Sequence, residues 1–125
     1  MGIPSFSEHI PRYSHDEIDL ALMEDDRDVL IFAGISSAYY DSDWIYTQDL
    51  CVRLYEHPNK TVRGNAILGL AMIARNEGRL DQEATEPTLL RALKDPEPEV
   101  RMRAEDAIRE INSVLNWVDA VVRQT

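Results

Sequence analysis

A chain of 125 residues, 44% hydrophobic and 29% charged, is the size of one domain and can bury about two thirds of its unfolded surface in one core. Its 23 acids against 13 bases leave a formal net charge of −10, which repels nucleic-acid phosphates and anionic lipid and attracts cationic proteins. One cysteine excludes a disulfide framework, and no apolar run approaches the ~20 residues that span a bilayer.

The N-terminus, MGIPSFSEHIPRYSHDE, lacks the basic start and apolar middle of a secretory signal, and Phe6 stands where a myristoylation motif asks for Ser or Thr. The chain is therefore expected in the cytoplasm. Residues 1–60 carry 12 acids and 4 bases, residues 61–125 carry 11 and 9, so the acidity is concentrated in the first half.

Residues 1–13, with Pro4, Phe6 and Pro11, read as an irregular cap segment ahead of a single repeat domain over 14–125. Ser14 and Glu17 form a capping box, so a first helix is predicted over 15–24. The acidic turn EDDRD, residues 24–28, lacks the central glycine and distal Glu of a calcium loop, and its Asp26 or Asp28 is placed to cap a second helix over 28–40. The linker DSD, 41–43, leads into a third helix over 43–56, and Pro58 forces the residue before it out of the helical region. A fourth helix over 60–77 is followed by the linker EGRLDQEAT near 77–85, a fifth helix over 85–94, a turn at Pro96 and a sixth helix over 97–122.

Sliding the chain against itself shows why these elements come in pairs. A shift of 38 lays CVRLYEHPNKTVRGNAILGLAMI, residues 51–73, over LLRALKDPEPEVRMRAEDAIREI, residues 89–111. It matches Pro58 with Pro96, Val62 and Arg63 with Val100 and Arg101, and Ala66 with Ala104. A shift of 33 lays DVLIFAGISSAY over TVRGNAILGLAM, with Leu30 where the later copies carry arginine.

Val100, Ala104, Ala107, Ile108, Ile111, Val114, Leu115, Val118, Val121 and Val122 form one apolar stripe. Val62, Ala66, Gly69, Leu70 and Ile73 trace the same face, and Gly69 admits a close neighbour. No segment alternates as a strand would. The fold is predicted to be all-α, with three helical hairpins at about 15–40, 43–77 and 85–122 stacked so that each buries its neighbour's apolar face. The tail carrying Trp117 is expected to cover the last pair.

A short helix, a D/H-P turn, then VR and a small residue three further on resembles HEAT repeats, in particular the short bacterial HEAT-like repeats first named for bilin lyases. DPEPEVRMRAEDAI is the most specific element, and the resemblance runs over about residues 15–115. It implies an α-α superhelix that binds proteins on an exposed curved surface lined by the second helix of each pair. It also implies that Arg63 and Arg101 belong to a structural ladder with the acid before the turn. Asp95 is placed to pair with Arg101, whereas His57 replaces that acid in the second copy.

Catalytic and cofactor signals are absent from the sequence. His9, His15 and His57 match no metal-ligand spacing, Cys51 sits in the apolar LCVRLY, and the five glycines form no phosphate loop. The chain reads as non-catalytic and without a cofactor. HEAT-like DNA glycosylases need a basic groove, which this charge opposes.

The densest feature is SSAYYDSDWIYTQD, residues 36–49, with four of the nine aromatic residues. Helical spacing assigns Tyr40 and Trp44 to the packing between repeats, and leaves Tyr39, Asp41, Asp43, Tyr46 and Asp49 to solvent. Together with Asp25, Asp26 and Asp28 these are the candidate partner-binding residues, since aromatic area beside acids suits a Lys- or Arg-rich protein. The specific expectation is an immunity protein that occludes a cationic bacterial toxin such as a nuclease. The alternatives are a HEAT-repeat adaptor of a larger complex, using Ile67 and Leu68 as exposed apolar residues, and a bilin-lyase-like enzyme subunit.

Overall fold

The computed structural model describes residues 10–117. Among these residues there are six helices and no strand: α1 His15–Glu24, α2 Arg27–Tyr40, α3 Trp44–Leu54, α4 Lys60–Glu77, α5 Gln82–Ala92 and α6 Pro98–Leu115. They pair as three hairpins, α1–α2, α3–α4 and α5–α6. The second helices stack on one another in one layer, and α4 lies at the centre, against α2, α3, α5 and α6.

Local chemistry sets most boundaries. The Ser14 hydroxyl accepts from the Glu17 amide at 3.1 Å while the Ser14 amide donates to Glu17 Oε1 at 2.7 Å, which completes the capping box. Asp43 and Asn59 cap α3 and α4 through their side chains, and Gly78, at φ 66°, ends α4 in the left-handed conformation that glycine adopts without strain.

Two ends differ from expectation by three residues or more. The fifth helix begins at Gln82, three residues early, because the Asp81 carboxylate accepts from the Ala84 amide and starts it. The sixth ends at Leu115, because Asn116 takes φ 57° and its amide bonds back to the Asn112 carbonyl. Val114 is consequently exposed, Trp117 folds back into the core, and the predicted extension through Val118, Val121 and Val122 lies outside the described residues, as do residues 1–9.

The core is continuous from Ile10 to Trp117. Ile10 and Tyr13 cover the start of the stack: the Tyr40 hydroxyl donates to the Ile10 carbonyl at 2.9 Å, and the Tyr13 amide donates to Ser36 Oγ at 3.2 Å. Gln48 reaches the next linker, accepting from the Asp81 amide at 2.8 Å.

The tightest point is where α2 meets α4. A Cβ on Gly69 would stand 2.7 Å from Cys51 Sγ and 3.3 Å from the Gly34 carbonyl oxygen, so two backbones and a thiol share one layer. Burial pushes the Cys51 thiol up to about 12, which makes it an inert packing group. Gly69→Ala is expected to destabilise the fold by about 1–3 kcal/mol through overpacking, despite the better helix propensity of alanine. Urea unfolding should show this loss reduced in a Cys51→Ala background; equal losses in both backgrounds would refute the steric account.

Candidate functional site

The acidic turn of the first repeat lines an open groove of about 670 Å³ with Asp25, Asp26, Arg27 and Asp28 on one wall and His57, Pro58 and Asn59 on the other. Asp25 closes α1 in the left-handed conformation at φ 53°, a geometry that aspartate tolerates, and its amide bonds to the Ala21 carbonyl. Asp26 occupies the N-cap position of α2 but makes no side-chain capping bond, so its carboxylate remains available to solvent. Asp28 sits in the first helical turn, where the helix dipole favours an anion.

The opposite wall is built by an exchange of roles. His57 Nδ1 accepts from the Asn59 amide at 2.9 Å, just as Asp95 Oδ1 accepts from the Glu97 amide at 2.9 Å in the next repeat. Histidine thus supplies the acceptor that the turn needs in place of the family's acid. With Nδ1 accepting, Nε2 carries the proton and donates to Asp25 Oδ1 at 2.6 Å. The first repeat has Leu30 in place of the ladder arginine, and Asp25 with His57 forms a rung of opposite polarity.

The ladder itself corrects the pairing of Asp95 with Arg101. The carboxylate of Asp95 is held by the preceding repeat: Arg63 Nε and Nη2 donate to its two oxygens, each at 2.9 Å, and the Tyr55 hydroxyl donates at 2.6 Å. Arg101 donates instead to the Asp95 main-chain carbonyl at 2.7 Å. Burial pushes the Asp95 carboxyl up, but the bonds from Arg63, Tyr55 and the Glu97 amide outweigh it and bring the group to about 2. Burial, with donation to Asp95, raises Tyr55 in turn.

The candidate residues do not form one surface. Asp25, Asp26 and Asp28 lie at the turn edge, whereas Asp41 and Asp43 lie beyond the other end of α2, about 20 Å away along a helix of 14 residues. At that end Asp41 meets His15 Nε2 and caps the Asp43 amide, and Asp43 caps the Tyr46 amide at 3.1 Å. Tyr46 departs from its expected solvent position: it is half-buried beneath the His15 ring, with ring centroids 3.7 Å apart. Its hydroxyl oxygen is buried and has no hydrogen-bond partner among the described residues. Burial and the carboxylates of Asp19, Asp41 and Asp43 raise its pKa.

Tyr39 is exposed, edge-on to Tyr40, and Asp49 is exposed on α3. Trp44 and Tyr40 are half-buried against the core. Ile67 is fully buried and Leu68 half-buried, so these two do not supply the exposed apolar surface expected of an adaptor; the exposed apolar side chains among the described residues are led by Met23, Met102, Ile45 and Leu20.

The negative field of the groove is felt by Tyr13, whose pKa is raised by burial and then by Asp26, Glu17 and Asp28. Among the described residues no three His, Cys, Asp or Glu side chains are grouped to hold a metal ion, and no helix is long and apolar enough to cross a membrane. The exposed carboxylates of Asp26 and Asp28 are able to accept charge-assisted hydrogen bonds from cationic groups.

No curated protein and no solved structure matches the chain. A family model described as HEAT repeats matches residues 47–122, which are the second and third hairpins. The stacked hairpins, the arginine rung between them and this match over more than half of the chain agree: the protein belongs to the family of HEAT repeats.

Proposed function

We propose that the protein is a non-catalytic binding module whose partner is a basic protein, received at the groove between the first two turns. HEAT repeats are generally protein–protein interaction modules. The observation that carries the basic partner is that Asp26 and Asp28 are exposed beside an open groove and make no side-chain hydrogen bond among the described residues. Among the described residues neither carboxylate is paired, and the fold uses only the charge of Asp28, at the positive end of the α2 dipole. In its specific form the reading is an immunity protein that covers the active cleft of a cationic toxin, such as a secreted bacterial nuclease, with carboxylates standing where nucleic-acid phosphates would bind.

Asp26→Lys with Asp28→Lys is expected to lower affinity for such a toxin by at least about 10-fold and to flatten its salt dependence. Far-UV circular dichroism should stay unchanged, because neither side chain caps α2. The product of the neighbouring gene is the partner to test, with binding read by calorimetry and protection by growth. Unaltered affinity and salt slope in the double variant would refute the groove.

A further inference from the structure

The turns of the second and third repeats are one object built twice. Tyr55 and Leu93 share φ −62° and ψ −20°, and the paired bonds to Asn59 and Glu97 match at 2.9 Å. Arg63 Nη1 is pinned to turn carbonyls of Pro58 and His57 at 2.8 and 3.3 Å, and Arg101 Nη1 to that of Asp95 at 2.7 Å. This leaves the Nε and Nη2 edge of each guanidinium available beyond its own turn. On Arg63 that edge grips Asp95, and alongside it Glu56 pairs with Arg91. The junction therefore reads two positions of the incoming unit, 91 and 95, one helical turn apart at a helix C-terminus.

In the last repeat the reading residues become Lys94 and Arg101, the counterparts of Glu56 and Arg63. Lys94 is exposed, and among the described residues neither it nor the Nε–Nη2 edge of Arg101 meets a carboxylate. We propose that this edge binds a helix C-terminus of a protein partner that carries two carboxylates four residues apart. The first pairs with Lys94 and the second takes the fork of Arg101, as Asp95 takes that of Arg63. A second copy of this chain would offer Leu20 and Glu24 at the two places and supply only one of the charges. A full fourth repeat is opposed by Glu105 and Arg109, which stand where Ile67 and Ala71 are buried in the second repeat. The site lies at the far end of the stack from the acidic groove, and its occupation does not depend on the groove's partner.

The test uses the 15N-labelled full chain and a synthetic helical peptide whose last turn carries Glu and, four residues on, Asp followed by Pro. The Arg101 Nε–Hε signal should shift saturably while those of Arg53, Arg103 and Arg109 do not. Arg101→Gln is expected to weaken binding about 10-fold, and Arg101→Lys should fail to restore it because lysine lacks the two-pronged fork. A peptide with Gln and Asn at the two places should leave the signal unmoved. Parallel shifts of all four arginines, or an equal response to the neutral peptide, would overturn the proposal. So would self-association abolished by Arg101→Gln, which would give the edge to a second copy.

Discussion

Replacing Asp95 with alanine is expected to cost about 3–5 kcal/mol of folding stability, a large share of the 5–15 kcal/mol that typical domains possess. The carboxylate is 1% exposed, and its removal strands four donors at once: Nε and Nη2 of Arg63, itself 13% exposed, the Tyr55 hydroxyl and the Glu97 amide. Stranded buried donors cost more than the pair contributes when intact. Arg63→Met should therefore recover part of the loss in the Asp95→Ala background, and a double-mutant cycle measures how much.

The sign of the pH dependence follows from the depressed carboxyl. Asp95 titrates at about 2 in the fold and near 3.9 in an unfolded chain, so the folded state resists protonation. Its contribution is complete above the ordinary carboxylate range and is lost as pH falls through about 2. The stability difference between the native chain and Asp95→Asn should shrink steadily as acid is added. Urea titrations at neutral and acidic pH measure both effects; a cost below about 1 kcal/mol, or a difference that does not move with pH, would overturn the account.

What sequence could reveal here was whatever repeats or acts locally. The capping box at Ser14, the turns at Pro58 and Pro96 and the close approach at Gly69 are short-range signals, and each recurs in the fold. The rung was misassigned because it joins residues 32 apart: Asp95 is nearer to Arg101 in the chain, yet α4 stacks so that Arg63 arrives first. Two local signals carry more weight in the fold than the pattern around them: Asp81 starts α5 inside a stretch that reads as polar linker, and Asn116 ends α6 inside the apolar stripe. The partition of the aromatic stretch failed at Tyr46 for a related reason. Helical spacing places it opposite the core, but His15 from α1 covers it, and nothing within residues 36–49 announces that neighbour. For the acidic groove the reverse holds: its three aspartates are visible as a run, whereas the His57 wall is found only in three dimensions.

Ile67 and Glu105 occupy the same place in successive repeats, and their opposite environments produce the second large expected effect. Ile67 is fully buried, where α4 faces the third hairpin, while Glu105 is exposed on the outer side of α6, with Arg109 one turn on where α4 carries Ala71. A stack must end on a polar face to avoid recruiting another unit. Ile67→Ala is expected to cost about 2–5 kcal/mol, the lost transfer energy plus an unfilled cavity, because its neighbours are held by helices on both sides. Ile67→Glu should abolish cooperative unfolding, since a carboxylate without a partner would be sealed in the core. Glu105→Ala should stay within about 0.5 kcal/mol. Glu105→Ile together with Arg109→Ala should leave the monomer folded but promote association, by exposing the apolar face that repeat two hides. Unfolding curves and light scattering on the four variants decide it. Comparable costs for Ile67→Ala and Glu105→Ala would mean that the outer face of α6 is covered as that of α4 is.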